Sequence, residues 1–295
     1  MFEGLKGNII FWQLMKRPDI NKAYAMVPPT DSWYDTITTV HNSLAEIQKL
    51  PHENWEISSH DGLKLRGIYY PCEGSKKTMI WIHGYTSHAE RESAFPSLFY
   101  RSMGFNVLIP YLRAHGISEG KYISFGGLEY RDMMLWAEKV NHLHPDGQIV
   151  FHGLSMGGGI ALDLANQSME NVRCIVADAP SLDADGIFRY VAGATFKKGH
   201  EQVAEAALAR YQKEFGCDAR DFNRLENIKY CKYPILLSAG SNENMEAAFA
   251  VLCENCPQPI SQVILPGCNH GNGMYKQTEM YQSAIRNFIE KHINA

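Results

Sequence analysis

The chain lacks any apolar run long enough to cross a bilayer. Of its 295 residues 45% are hydrophobic, but they are dispersed. The densest N-terminal patch, Ile9 to Met15, is broken by Gln13 and is about half the ~20 residues a spanning helix needs. No small-residue cleavage site follows it, so a secretory leader is not expected. Clustered basic charge is also missing: 28 Lys and Arg stand against 32 Asp and Glu, a net charge of −4. Phosphate backbones are bound by clustered cations, so a nucleic-acid partner is not expected. The seven cysteines are odd in number and scattered, which fits a reducing cytoplasm better than a disulfide framework. Cys253 and Cys256 form a CxxC with no second pair and no spaced histidines behind it. A four-ligand zinc site is therefore not expected, and no cofactor is implied.

What is present is an ordinary globular composition with 20% charged residues. Single α/β domains commonly run to ~200–250 residues, so one large domain over 55–295 with an extension over 1–54 is expected. The extension is interrupted by Pro18, Pro28 and Pro29, and a helix over Asp31–Leu50 follows that Thr30 or Asp31 can cap. Phe2, Ile9, Ile10, Phe11, Trp12 and Leu14 could form a sticky helix that packs on the body or, alternatively, contacts a membrane or mediates self-association. From residue 55 the texture changes. Trp55–Ser58 and Leu63–Tyr70 flank His60-Asp61-Gly62 as a hairpin. Short apolar runs then recur at Thr78–Ile82, Asn106–Pro110, Gln148–His152, Val172–Asp178, Ile235–Ala239 and Gln262–Leu265. Helical patterns separate them, at Ala94–Met103, Leu128–Asn141, Met156–Asn166, Ala247–Glu254 and Lys276–His292. Continuous apolar strands alternating with helices predict a mostly parallel eight-stranded sheet covered on both faces. Residues 182–230 interrupt the alternation with helices only, as a cap over the C-terminal edge of the sheet would. Its Phe188, Tyr190, Val191, Phe196 and Tyr211 either line a hydrophobic pocket or pack the cap down.

Gly153-Leu154-Ser155-Met156-Gly157 follows an apolar run and precedes a helical pattern. A G-x-S-x-G between strand and helix places a serine on a sharp turn at a helix N-terminus, where negative charge is favoured. Ser155 is the candidate nucleophile. A serine hydroxyl needs a base at neutral pH, and His270, in the loop between the last strand and the final helix, is the candidate. The backbone amides of Tyr85 and Met156 are the candidate oxyanion donors, one from the loop after the 78–82 strand and one from the residue after the nucleophile. His83 reads as a structural hydrogen-bonder.

With His83-Gly84-Tyr85-Thr86, the stretch Leu112–Gly120, GLSMG and Gly267-Cys268-Asn269-His270-Gly271 in view, residues 55–293 resemble the α/β-hydrolase superfamily. The likeness is to bacterial serine esterases and prolyl-oligopeptidase-like hydrolases, some of which carry an N-terminal helical extension. The resemblance implies that Arg113 and His115 order a loop beside the site, with Tyr111 standing where that loop usually has Asp. It also implies an acid after the seventh strand. Alignment of Ser238-Ala239-Gly240-Ser241-Asn242-Glu243 on its glycine puts that acid at Glu243, with Glu246, Asp183 and Asp185 as alternatives. Asp178 reads as structural.

Two classes of function follow. One is a serine hydrolase, in the first place a carboxylic-ester hydrolase working through an acyl-serine on a small-molecule ester, with thioester or peptide substrates as variants. The other is a binding protein that kept the fold and lost turnover, suggested by the irregular 238–245 segment and Tyr111.

Overall fold

The computed structural model describes residues 2–19, 30–31 and 33–293; Pro28 and Pro29 lie outside them. The strands are β1 (Glu53–Ser58), β2 (Lys64–Tyr70), β3 (Lys77–Ile82), β4 (Asn106–Pro110), β5 (Gln148–Leu154), β6 (Val172–Asp178), β7 (Ile235–Gly240) and β8 (Ile260–Leu265). They form one sheet in the order β1-β2-β4-β3-β5-β6-β7-β8. The β1–β2 and β2–β4 pairs are antiparallel, and every pair from β4 onward is parallel. The helices are α1 (Phe2–Met15), α2 (Ile37–Ile47), α3 (Ala89–Ser102), α4 (Glu129–Leu143), α5 (Met156–Ala165), α6 (Ala184–Thr195), α7 (His200–Phe215), α8 (Arg224–Asn227), α9 (Glu246–Asn255), α10 (Gly273–Lys276) and α11 (Thr278–His292).

Alternation along each buried strand explains the continuous apolar runs, because both faces of the sheet are covered. Ile80, Ile82, Phe151 and Ile175 point into one layer, with Trp136 of α4, Ile160 of α5 and Phe249 of α9. Met79, Trp81, Val150 and Val176 point into the other, with Tyr100 of α3 and Tyr281, Ile285 and Phe288 of α11.

Several boundaries differ from expectation. Asp31 accepts from the Trp33 N–H at 2.8 Å, and a 3-10 turn at Tyr34–Thr36 precedes α2, so the helix is shorter than 31–50. The final helical stretch breaks at Gln277 into α10 and α11. Helix α3 begins at Ala89, five residues before the expected start, and carries Pro96 inside it. Proline removes one helical hydrogen bond. The carbonyl left over is that of Glu92, four residues earlier, and it accepts instead from Tyr275 OH at 3.5 Å.

The N-terminal helix lies on the body. Ile10, Phe11, Leu14 and Met15 are buried in the first layer, while Leu5, Ile9 and Trp12 on the opposite face are exposed. Its C-terminal end is tied to the 116–123 loop: the Ile123 N–H donates to Met15 O at 2.7 Å and Arg17 Nη1 donates to Ser118 O at 2.8 Å. The helices α6 and α7 form the expected insertion between β6 and β7, and α7 packs along α1. A Cβ at Gly7 would stand 2.6 Å from Ala206 Cβ and 2.8 Å from its carbonyl carbon, so the two helices approach backbone to backbone. We expect Gly7→Val to lower the unfolding free energy by about 1–3 kcal/mol, as overpacking does. Urea denaturation measures it; an unchanged midpoint at unchanged slope would mean α1 does not sit on α7 in solution.

Candidate active site

Strand β5 runs two residues further than expected and delivers Ser155 directly from its end. Ser155 has φ 59° and ψ −115°, a strained combination for a residue with a side chain. Its backbone is held on three sides. The Ser155 N–H donates to Asp178 O at 2.9 Å, and its carbonyl accepts from the Gly159 and Ser181 amides at 3.0 and 2.9 Å.

His270 Nε2 lies 2.8 Å from Ser155 Oγ, and its Nδ1 lies 2.5 Å from Glu243 Oε2. The other Glu243 oxygen accepts from the Gly240 N–H at 2.8 Å, within the turn Ser241–Glu243 that ends β7. A carboxylate on Nδ1 fixes the proton there and leaves Nε2 as an acceptor facing the serine. The alternatives for the acid are occupied elsewhere. Asp183 caps α6 by accepting from the Asp185 N–H, Asp185 pairs with Arg189 at 2.9 Å, and Glu246 sits exposed at the start of α9. Asp178 accepts from Ser238 Oγ at 2.7 Å and Tyr281 OH at 3.0 Å beneath the site.

The Tyr85 loop stands against the nucleophile: a Cβ built on Gly84 would be 3.6 Å from Ser155 Cβ. Among the described residues no backbone carbonyl takes the amide of Tyr85 or of Met156, the first residue of α5. His83 is buried beneath this loop. Its Nε2 accepts from the Leu112 N–H at 3.1 Å, so its Nδ1–H donates to Gly84 O at 2.9 Å. Burial holds its pKa well below the ordinary imidazole value, so it stays neutral. Arg113 forks onto Asp132 at 2.7 and 2.8 Å and onto Asp61 at 2.9 and 3.1 Å, and Tyr111 OH donates to Glu90 at 2.9 Å. The Tyr111 hydroxyl thus anchors its loop through a partner on α3.

A family model described as serine aminopeptidase, S33, matches residues 73–244, more than half of the chain. The chain belongs to this family. YqkD of Bacillus subtilis (strain 168), an uncharacterized protein, is 24% identical over 257 residues, 85% of this chain and 83% of YqkD. The Pyrococcus furiosus esterase Pf2001 superposes with a TM-score of 0.66 at 25% identity, covering 84% of this chain and 94% of its own. Est1E from Butyrivibrio proteoclasticus, solved with ferulic acid bound, shares the fold at a TM-score of 0.60 and 18% identity, covering 81% of this chain and 99% of that one.

This S33-family serine hydrolase holds Ser155 and His270 at one wall of a cavity of about 550 Å³. The lining also includes Trp33, Ile37 and Val40 of the N-terminal extension, together with Leu154 and Tyr275. Trp33 packs edge-on to Tyr275 at 5.7 Å, and a Cβ on Gly271, next to His270, would stand 3.2 Å from its ring. The expectation that the 182–230 insertion lines this space is corrected: no residue of it borders the cavity. Phe188 and Tyr211 are spent on each other at 5.8 Å, and Tyr211 OH donates to Ser124 O at 2.7 Å. Phe215 meets Phe11 of α1 at 6.0 Å, and Tyr190 is exposed. Among the described residues no three His, Cys, Asp or Glu side chains are grouped to hold a metal, and no helix is long and apolar enough to cross a membrane.

Sequence reading passed over two contributors, the Trp33–Val40 wall and Glu92, whose carboxylate lies under Gly84. The hydrogen bond that His270 donates to Glu243 raises the pKa of His270 above the ordinary imidazole value, against the burial that lowers it. The sign follows: the pair adds stability below the ordinary imidazole range and loses it as pH rises through the raised value. Glu243→Gln removes the charge, so the His270 midpoint should fall. An NMR titration of the ring protons reads the shift, and an unmoved midpoint would show that the two groups are not coupled.

Proposed function

We propose that this hydrolase cleaves carboxylic esters through an acyl-serine intermediate, with Ser155, His270 and Glu243 as its catalytic residues. The observation that carries the reading is the unbroken relay from Ser155 Oγ to His270 Nε2 at 2.8 Å and from Nδ1 to Glu243 at 2.5 Å, opening on a largely apolar cavity. Ser155 attacks the carbonyl carbon while His270 Nε2 takes its proton. Glu243 holds the tautomer and offsets the imidazolium charge. The amides of Tyr85 and Met156 hold the tetrahedral oxyanion, and their cost of reorganisation is already met in the folded backbone. His270 then returns the proton to the leaving alkoxide, and water repeats the sequence to free the acid. Esters are favoured over amides by the cavity's apolar lining and by the likeness to an esterase.

Trp33, Ile37 and Val40, not the insertion, contribute the lining that meets the substrate's apolar part. A cavity of about 550 Å³ is of the size that buries a small organic ligand.

Three outcomes follow. Ser155→Ala should keep the fold and lose on the order of 10⁶ in kcat toward p-nitrophenyl esters. A fluorophosphonate should label the wild-type serine stoichiometrically; no labelling and no turnover would favour the binding-protein reading, and faster cleavage of aminoacyl p-nitroanilides would favour a peptidase. Trp33→Ala should reorder the preference among acyl chain lengths, with a loss of roughly tenfold in kcat/KM for bulky acyl groups and little change for acetate, since a lost contact of this kind is worth ~1–3 kcal/mol. A uniform effect across chain lengths would place Trp33 outside the substrate's reach.

A further inference from the structure

The catalytic reading leaves one carboxylate in the cavity floor without a task. Glu92 sits in the first turn of α3, largely buried, and donors converge on it. The Gly84 N–H reaches both of its oxygens, at 3.0 and 3.1 Å, and Trp81 Nε1 donates to Oε1 at 3.0 Å. The Ser87 hydroxyl is bonded to it as well. Gly84 and Ser87 both belong to the loop that carries Tyr85, and the Ser87 N–H closes that loop onto Gly84 O at 3.3 Å. The Glu92 carboxylate therefore ties the two ends of the Tyr85 loop to each other and to β3.

Space reinforces the bonding. A Cβ at Gly84 would stand 3.1 Å from Glu92 Oε2 and 3.6 Å from Ser155 Cβ, so carboxylate, loop backbone and nucleophile are in contiguous contact. Only an acceptor fits among these donors. An amide or a protonated acid would turn a donor of its own toward the Gly84 or Trp81 N–H, and the Ser87 hydroxyl alone could receive it.

We propose that Glu92 is a positioning residue for the oxyanion site, and that its carboxylate fixes the Tyr85 amide at the point where the negative oxygen forms. The proposal rests on the acyl-serine reading above. Donor placement matters because preorganised amides act only when aimed at the developing charge, and a displacement of ~1 Å can cost about 10²-fold. Glu92 does not touch the reacting atoms. Burial moves its pKa up to about 7 even so, with the Asp178 carboxylate adding to the rise and the loop donors opposing it. Its charge also reaches His270, which faces Glu243 from the turn after β7 and Asp178 from the end of β6, and all three carboxylates raise the imidazole pKa.

The test compares wild type with Glu92→Gln after fluorophosphonate labelling of wild-type Ser155 has established the acyl-serine reading. The expected result is a fall of about 10–100-fold in kcat with KM changed much less, since the lost interaction is made in the transition state. The affinity of a boronic acid, whose tetrahedral serine adduct carries the oxyanion, should fall in proportion to kcat. The ascending limb of the kcat/KM profile should move to lower pH, because a carboxylate near His270 is gone. Trp81→Phe, which removes one donor and keeps a ring in place, should give a smaller loss in the same parameter and covers the case in which Glu92→Gln does not fold. Wild-type kcat and boronate affinity in a folded Glu92→Gln would overturn the proposal. So would a lowered melting temperature as the sole effect of both substitutions. Absence of labelling in wild type would instead remove the underlying reading.

Discussion

Three stretches of backbone meet at Ser155 with no room for side chains, and the remaining geometry follows from that crowding. A Cβ on Gly153 would stand 2.0 Å from Gly157 O, and one on Gly157 would stand 1.9 Å from Ile82 O. Real carbon atoms do not approach oxygen so closely, so glycine is obligatory at both positions. The end of β3, the end of β5 and the start of α5 are thereby pressed together, and Ser155 is forced to φ 59° between them. Because β3 ends in the Tyr85 loop, the same contact that strains the serine brings the backbone of that loop beside it. The strain is held by the bonds from Ser155 to Asp178, Gly159 and Ser181, three elements that would each have to move for it to relax.

Charge is sorted around this point by burial. Asp178, His152 and Tyr281 form a buried chain beneath the site, with Tyr281 OH 3.1 Å from His152 Nε2 and 3.0 Å from Asp178. Burial pushes Asp178 up to about 6 and holds His152 down at about 3. His270 goes the other way, because a carboxylate reaches its ring. The imidazole that faces the cavity is the one made basic, while the buried ones stay neutral hydrogen-bonding rings.

Much of this was legible in the sequence because it is local. The strand–serine–helix spacing, the order serine, acid, histidine, and the alignment on Gly240 each depend on a few neighbouring residues. The pairs that sequence could not join are remote. Trp33 and Gly271 meet across 238 positions (271 − 33), and nothing in either segment's pattern announces the other. Of the aromatic residues of 182–230 that looked available for a pocket, Phe188 and Tyr211 pack on each other, and the Tyr211 hydroxyl bonds Ser124, 87 positions away. Glu92 lay outside the helical pattern that began at residue 94; α3 starts at Ala89, and the Glu92 carbonyl freed by Pro96 accepts from Tyr275.

The contact of Trp33 with the histidine loop also bears on how the molecule is made. Helix α1 and Trp33 precede their partners by some two hundred residues, yet α1 rests on α7 and Trp33 rests on Gly271 and Tyr275. The early segment carries apolar side chains with nowhere to go until more than two hundred later residues have been synthesised. Contacts of such separation form slowly and leave the nascent chain exposed to association with other chains. The Trp33 side of the cavity thus precedes the rest of its lining in the chain, and its contacts span the longest separations.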